Sequence, residues 1–322
     1  MKPCFPLLKA SLRSAPLHLL LATLLILLCA GAALGARIAD YRVIREPVSD
    51  RGGRALLAVR SFNRDGVPRL LVVDPVTLSS YDLPADSVKR GVDPGGTWLG
   101  STRLMRALSR YNSPPCRLQN GGAVRAEAEV DGLFLTVDLC PSKRPFELEL
   151  FEATAGLSNG APVPVAVAVT GLWLDTHPQE LAYLKGEIEA GRLAVTWVNH
   201  SYNHHYDPKA PLEANFMLAP GTDPRSEVLG LEQQLLGKGL VPSPFFRFPG
   251  LVSDRATVEL LAELSLIPIG SDAWLAKGEE PRRGSFILVH GNGNEPKGVK
   301  LLLPLLRNKD LRLLPLPAAF GN

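Results

Sequence analysis

Residues 163–200 read VPVAVAVTGLWLDTHPQELAYLKGEIEAGRLAVTWVNH, and this stretch decides the fold class. An apolar run rich in β-branched residues is followed by an amphipathic helical pattern over 178–191 and by a second apolar run over 193–199. Apolar strands that alternate with helices are typical of a parallel sheet covered on both faces. The stretch therefore predicts a β-α-β unit.

The same alternation of strand and helix patterns extends across residues 131–322. Such a series predicts an α/β domain, either a barrel or a doubly wound sheet. In a barrel, residues at the carboxyl ends of the strands meet at one face, where active sites lie. The further strand patterns cover 133–139, 245–250, 266–272 and 285–291, and the further helical patterns cover 226–239, 254–265 and 298–310.

Residues 36–130 have a different pattern, in which short β-like runs are broken by Asp-Gly, Gly-Gly and Pro-Gly turns. We expect a small, mostly β N-terminal region there, interrupted by a helix within 101–111. The chain is thus divided into an N-terminal segment (1–35), a mostly β region (36–130) and an α/β domain (131–322).

The N-terminal segment has the pattern of a secretory signal. Three basic residues precede the run LLLATLLILLCAGAALGA at 19–36, and Ala33 and Gly35 offer a small-x-small cleavage site. The run is also nearly long enough to stay as an uncleaved anchor. We therefore expect an exported protein, periplasmic or extracellular, with anchoring to the inner membrane as the alternative.

Composition says little about partners. The chain carries 35 Lys and Arg against 32 Asp and Glu, a net charge of +3 with no block of like charge. This balance gives no indication of a nucleic-acid partner, and membrane contact is expected only through an uncleaved N-terminal segment.

Two cysteines, Cys116 and Cys140, remain after removal of a signal. An oxidising compartment would allow them to pair, but the sequence does not show whether they approach each other.

The stretch NHSYNHHYDP at 199–208 holds three of the six histidines. His200 and His204 are four residues apart, so on a helix their imidazoles would share a face and could bind one cation. Zinc commonly takes two such nitrogens with a carboxylate and a water. His205 would point away from that face, so we expect it near the surface.

Six short segments, taken in order, resemble the motifs of the polysaccharide deacetylases of carbohydrate esterase family 4, which share the NodB homology domain. The resemblance implies a distorted (β/α) barrel with fewer than eight full units, which removes N-acetyl groups from a glycan. The segments are LTVDLCP (135–141), VTGLWLDTHPQELAYLKGEIEAG (169–191), NHSYNH (199–204), RFPG (247–250), GSDAW (270–274) and ILVH (287–290).

The resemblance also implies a divalent metal, with zinc expected and cobalt, nickel or manganese as alternatives. His200 and His204 would be ligands of this metal, and Asp138 is the candidate for the third place. No other cofactor is expected.

Catalytic roles follow from the same resemblance. Asp138 would be the general base that takes a proton from water, and Arg247 would orient it and lower its pKa. His290 would be the general acid that protonates the departing amine. Asp272 would hold the imidazole of His290 in its charged form.

The first motif departs from the family at two positions. Leu139 stands where the family has its metal-binding Asp, and Cys140 replaces the family's Gly. Three explanations remain open: Asp138 itself binds the metal, Cys140 supplies a thiolate, or the site holds metal weakly and the domain binds glycan without cleaving it.

The leading function is an exported, metal-dependent amidase acting on N-acetylated sugars of a cell-wall or extracellular glycan. A silent glycan-binding domain and an amidase for a non-sugar substrate are the alternatives.

Overall fold

The computed structural model describes residues 1, 35–91, 99–308 and 310–321. Arg37–Asn322 forms one compact unit. The signal or anchor predicted at 1–35 lies almost entirely outside the described residues. Within the ranges given above, no helix is long and apolar enough to cross a membrane.

Seven strands form a curled, wholly parallel sheet in the order β10-β9-β8-β7-β6-β12-β11. The predicted α/β class and the barrel-like sheet of fewer than eight strands are confirmed. The strands are β6 (Phe134–Leu139), β7 (Val163–Val169), β8 (Leu193–Asn199), β9 (Phe245–Phe246), β10 (Ile267–Pro268), β11 (Ala273–Trp274) and β12 (Phe286–His290).

Seven α-helices occur in the part of the chain that the structure describes. Several begin at a side chain that accepts a backbone N–H, as Asp254 does from Thr257 N at 2.8 Å, which satisfies an otherwise unpaired donor. The helices are α1 (Arg103–Tyr111), α2 (Leu148–Ala155), α3 (Gly171–Thr176), α4 (Pro178–Glu189), α5 (Pro224–Gly237), α6 (Arg255–Glu263) and α7 (Pro296–Leu306).

Strand alternation in β6 separates a core face from a cleft face. Leu135, Val137 and Leu139 are buried in one hydrophobic cluster that also contains residues of α2 and α3. Thr136 and Asp138 point to the other face, because successive side chains of a strand alternate. Burial of each large apolar side chain stabilises the fold by about 1.5–3 kcal/mol, so this register is strongly fixed.

The predicted mostly β N-terminal region is confirmed as a separate antiparallel sheet in the order β4-β3-β2-β1-β5. The helix expected within 101–111 is α1. The strands of this sheet are β1 (Ile38–Ser49), β2 (Ala55–Arg64), β3 (Val67–Val73), β4 (Ser80–Pro84) and β5 (Lys89–Arg90).

The two sheets share one core. Leu57 and Phe62 of β2 belong to the same buried cluster as Phe134 of β6. A buried ion pair also joins the N-terminal sheet to the α/β domain, with Arg60 Nε of β2 2.7 Å from Glu232 Oε2 of α5. The N-terminal sheet is therefore packed into the same compact unit as the α/β domain.

Candidate functional site

Four polar side chains stand where strands of the parallel sheet end. Asp138 and His290 are direct partners in the register of β6 and β12, His200 follows β8, and Arg247 follows β9. Asp138, His200 and His290 line one cleft of about 730 Å³. The cleft thus lies at the edge of the sheet where parallel strands bring their carboxyl ends together.

Asp138 is held by a buried arginine. Arg247 Nη1 lies 2.7 Å from Asp138 Oδ1 and also donates to Thr136 Oγ1 at 2.8 Å, while Nη2 donates to Gly270 O at 2.9 Å. Burial raises the pKa of Asp138, but the charges of Arg247 and His200 outweigh it and the pKa is lowered. The carboxylate is therefore ionised, with Oδ1 engaged and Oδ2 facing His200 Nε2 at 3.6 Å.

His200 and His204 come together through a left-handed turn, and the helix that we considered for this segment does not form. Ser201 and His204 have φ values of 68° and 48°, and the two imidazole centroids are 4.8 Å apart. His200 Nδ1 lies 2.8 Å from Arg247 O. Because a carbonyl only accepts, Nδ1 carries a hydrogen, and Nε2 is the ring nitrogen that faces Asp138 Oδ2 and Cys140 Sγ.

Leu139 points away from the cleft into the hydrophobic core, whereas Cys140 lines the cleft. Cys140 Sγ lies 3.5 Å from His200 Nε2. Burial raises the pKa of Cys140, but the nearby His204, His290 and His200 outweigh this and hold the pKa well below its usual value. The thiol therefore lies next to the two imidazoles, in surroundings that favour its ionised form.

Cys140 does not pair with Cys116, since both are free in the structure. Cys116 packs beside a hydrophobic cluster that contains residues of α5 and α6 and is separate from the cluster that contains Leu139. The disulfide considered from the sequence is not formed, and the thiol of Cys140 is left facing the cleft.

The donors in the cleft fit a divalent metal. Among the described side chains, Cys140, His200 and His204 have ligand atoms that all lie within 4.8 Å of one another. Two imidazole nitrogens with an anionic sulfur or oxygen are a donor set that zinc takes readily.

Sequence reasoning missed a carboxylate beside His290. His290 Nδ1 lies 2.9 Å from Glu295 Oε2, which also accepts from Trp274 Nε1 at 2.7 Å. Burial lowers the pKa of His290, but Cys140 and Glu295 raise it well above its usual value. Glu295 precedes α7, and its only signal in the sequence is an acidic residue a few positions after a predicted strand end.

The expectation that Asp272 holds His290 is wrong. Asp272 Oδ1 accepts from Phe286 N at 3.1 Å, and Oδ2 lies 3.9 Å from Arg125 Nε and 3.8 Å from Arg282 Nε. The register Ala273↔Ile287 explains this. Asp272 precedes β11 and so lies beside the start of β12, at the edge opposite to His290.

An aromatic pair lies at the mouth of the cleft. Tyr206 is 61% exposed, and its ring stacks on Phe216 with centroids 5.3 Å apart and planes inclined by 20°. Phe216 in turn meets the His204 ring edge-on at 5.6 Å. One face of Tyr206 is thus backed by Phe216 close to the histidines. His205 is exposed, as expected.

No model of a known protein family matches the chain. Among solved structures, the chain is similar to a family 4 carbohydrate esterase from Bacillus anthracis, with 20% identity over 61% of this chain and 86% of that one and a TM-score of 0.45. It is also similar to the chitin deacetylase of the fungal pathogen Colletotrichum lindemuthianum, with 15% identity over 62% of this chain and 91% of that one and a TM-score of 0.44.

A third similar structure is a family 4 carbohydrate esterase pseudoenzyme from Bacillus anthracis. The identity is 12% over 60% of this chain and 66% of that one, with a TM-score of 0.41.

Proposed function

We propose that this protein is an exported, metal-dependent deacetylase that hydrolyses N-acetyl groups of a cell-wall or extracellular polysaccharide. One observation carries the proposal. The histidine pair His200 and His204, the arginine-held Asp138 and the carboxylate-held His290 converge in a single cleft. This combination provides metal donors, a base and an acid for amide hydrolysis.

His200 and His204 would hold the metal, with the third protein donor coming from Asp138 or Cys140. A bound divalent ion supplies Lewis acidity toward an amide carbonyl and lowers the pKa of water. Zinc fits this donor set, and cobalt or nickel would also accept it.

Asp138 would take the proton of the attacking water at Oδ2, because Oδ1 already accepts from Arg247. The lowered pKa of Asp138 keeps the carboxylate ionised before the reaction. Arg247 then stabilises its orientation as the water oxygen bonds to the carbonyl carbon.

His290 would give a proton from Nε2, because Nδ1 contacts Glu295. Burial lowers the pKa of His290, but Cys140 and Glu295 raise it above its usual value, which favours the protonated form that can act as an acid. When the carbon–nitrogen bond breaks, the nitrogen takes this proton and leaves as an amine, with acetate as the second product.

The aromatic mouth of the cleft suits a sugar substrate. The ring of Tyr206 stacks on Phe216 with one face and is largely exposed, so it offers a flat apolar face close to His204. Trp274 lines the same cleft. Flat aromatic faces pack against the apolar faces of sugar rings, which favours a glycan over a small amide.

A catalytically silent glycan-binding domain is the second candidate function. This second function is favoured by Leu139, which stands where the family that the sequence resembles has a metal-binding Asp. The two candidates differ in whether the cleft turns over an N-acetylated glycan.

The test is acetate release by the full-length protein from chitin oligosaccharides and from peptidoglycan, after loading with zinc or cobalt. We expect release by the wild type, loss on chelation and in His204→Ala, and retention in the matched control His205→Ala. Glycan binding without release under every metal would overturn the enzyme proposal and support the silent domain.

A further inference from the structure

We propose that Cys140 is the third protein ligand of the metal, so that the ligand position has moved one residue along the chain from 139 to 140. The inference rests on the proposed metal dependence of the cleft and goes further, because it assigns a Cys-His-His site that leaves Asp138 free. Three observations support it: the distance between donor atoms, the direction of the side chains and the fixed backbone of Cys140.

The distance between Cys140 Sγ and His200 Nε2 suits a shared metal. Zinc bonds of about 2.3 Å to sulfur and about 2.0–2.1 Å to nitrogen at a tetrahedral angle separate the two donors by about 3.5 Å. The observed separation is 3.5 Å. With the ligand atom of His204, the three donors all lie within 4.8 Å of one another.

Strand geometry explains why residue 139 no longer serves. Leu139 is the last residue of β6 and is buried with Leu135 and Val137 on the core face. A carboxylate on this backbone would enter the hydrophobic core, where an unpaired charge is very costly. Cys140 follows the end of the strand, and its side chain lines the cleft.

The backbone around Cys140 is fixed by neighbouring elements. Asn292 Nδ2 donates to Cys140 O at 2.8 Å, and Asn292 is 1% exposed. Thr170 Oγ1 donates to Leu139 O at 3.0 Å. These bonds fix the backbone that carries the thiol before a metal arrives, which lowers the entropy lost on binding.

Asp138 is the competitor for the third place, and its contacts argue against it. It does not belong to the group of donors that lie within 4.8 Å of one another. Oδ1 is also tied to a buried guanidinium at 2.7 Å. A carboxylate that bound the metal would share its charge with Arg247 and could not also serve as a free base.

A thiolate ligand also changes the choice of metal. Sulfur donors favour zinc and cobalt over the harder manganese and magnesium, which prefer oxygen. The site is therefore expected to discriminate against manganese more strongly than an all-oxygen and imidazole site would.

The test is the absorption spectrum of the full-length protein loaded with cobalt(II) under reducing conditions. A thiolate bound to cobalt gives a charge-transfer band in the near ultraviolet, and a carboxylate does not. We expect the band in the wild type and in the matched control Cys116→Ser, and its loss in Cys140→Ser. Cys140→Asp should bind cobalt without the band, which shows that the cleft still folds.

Cobalt bound to the wild type without the band, or a band that persists in Cys140→Ser, would overturn the inference, as would the absence of cobalt binding. Its failure is distinct from that of the proposed function. A band without acetate release would leave Cys140 as a ligand and refute the deacetylase function. Acetate release without a band would support the deacetylase function and refute Cys140 as a ligand.

Discussion

His290 Nδ1 lies 2.9 Å from Glu295 Oε2, and the same oxygen accepts a hydrogen bond from Trp274 Nε1 at 2.7 Å. A single carboxylate oxygen thus joins the end of β12 to β11. The contact fixes which ring nitrogen of His290 faces the carboxylate and leaves Nε2 for the cleft. Glu295 is therefore a positioning residue for the proposed acid.

Replacing Glu295 with Gln should lower kcat by about tenfold, a part of the full effect of a general acid. The alkaline limb of the kcat–pH profile should move to lower pH. His290 acts in its protonated form, and burial, which lowers its pKa, is opposed by Cys140 and Glu295. Without the charge of Glu295 the pKa falls, so protonated His290 is lost at a lower pH.

The matched control is Asp272→Asn, which makes the same chemical change at a carboxylate that contacts Phe286 N, Arg125 and Arg282. It should leave the alkaline limb in place. An alkaline limb that moves in Asp272→Asn and not in Glu295→Gln would contradict the assignment.

Replacing Arg247 with Met should move the acid limb of the kcat–pH profile to higher pH. Asp138 acts in its ionised form, and burial, which raises its pKa, is outweighed by Arg247 and His200. Removing the guanidinium raises the pKa, so more hydroxide is needed to keep the carboxylate ionised. The pH profile of the folded variant measures this, and an unmoved acid limb would refute the role of Arg247.

The sequence predicted those parts of the site that depend on strand ends. Asp138, His200 and His290 each follow or end a continuous apolar run, and parallel strands bring such residues together. The approach of His200 and His204 was also expected, but for a different reason. Their spacing suggested one face of a helix, whereas the left-handed φ of Ser201 and His204 produces the contact.

The remaining parts depend on pairings that no local pattern shows. Asp272 was expected beside His290 because it belongs to the segment that resembles the Asp/Trp motif. The register of β11 on β12 instead puts Asp272 beside the start of β12, whereas His290 is at the end of that strand. Glu295 reaches His290 through a loop without periodicity. Leu139 turns into the core and Cys140 turns toward the cleft because β6 ends between them, and strand ends are hard to locate from sequence.

Replacing Tyr206 with Ala should raise KM for a long N-acetylated oligosaccharide by about fivefold, with kcat little changed, because an aromatic contact contributes about 1 kcal/mol. Tyr206 is 61% exposed and stacks on Phe216. Tyr206→Phe keeps the ring and should retain the wild-type KM. Equal KM values for the Ala and Phe variants would show that no sugar packs on this ring.

The buried ion pair between β2 of the N-terminal sheet and helix α5 should contribute strongly to stability. Arg60 and Glu232 are each 1% exposed, with Nε and Oε2 2.7 Å apart, and Tyr41 also donates to Glu232 at 2.7 Å. Glu232→Gln leaves a buried guanidinium without its counter-charge, which should lower the free energy of unfolding by about 3–5 kcal/mol.

Urea denaturation measures this change, and an exposed ion pair provides the control. Arg225 and Glu263 lie 2.6 Å apart with side chains that are 45% and 64% exposed, so water and salt screen their attraction. Glu263→Gln should therefore lower the free energy of unfolding by less than about 1 kcal/mol. An equal loss of unfolding free energy in Glu232→Gln and Glu263→Gln would mean that the buried pair does not hold the N-terminal sheet to the α/β domain. The shared core around Leu57, Phe62 and Phe134 would then hold them together by itself.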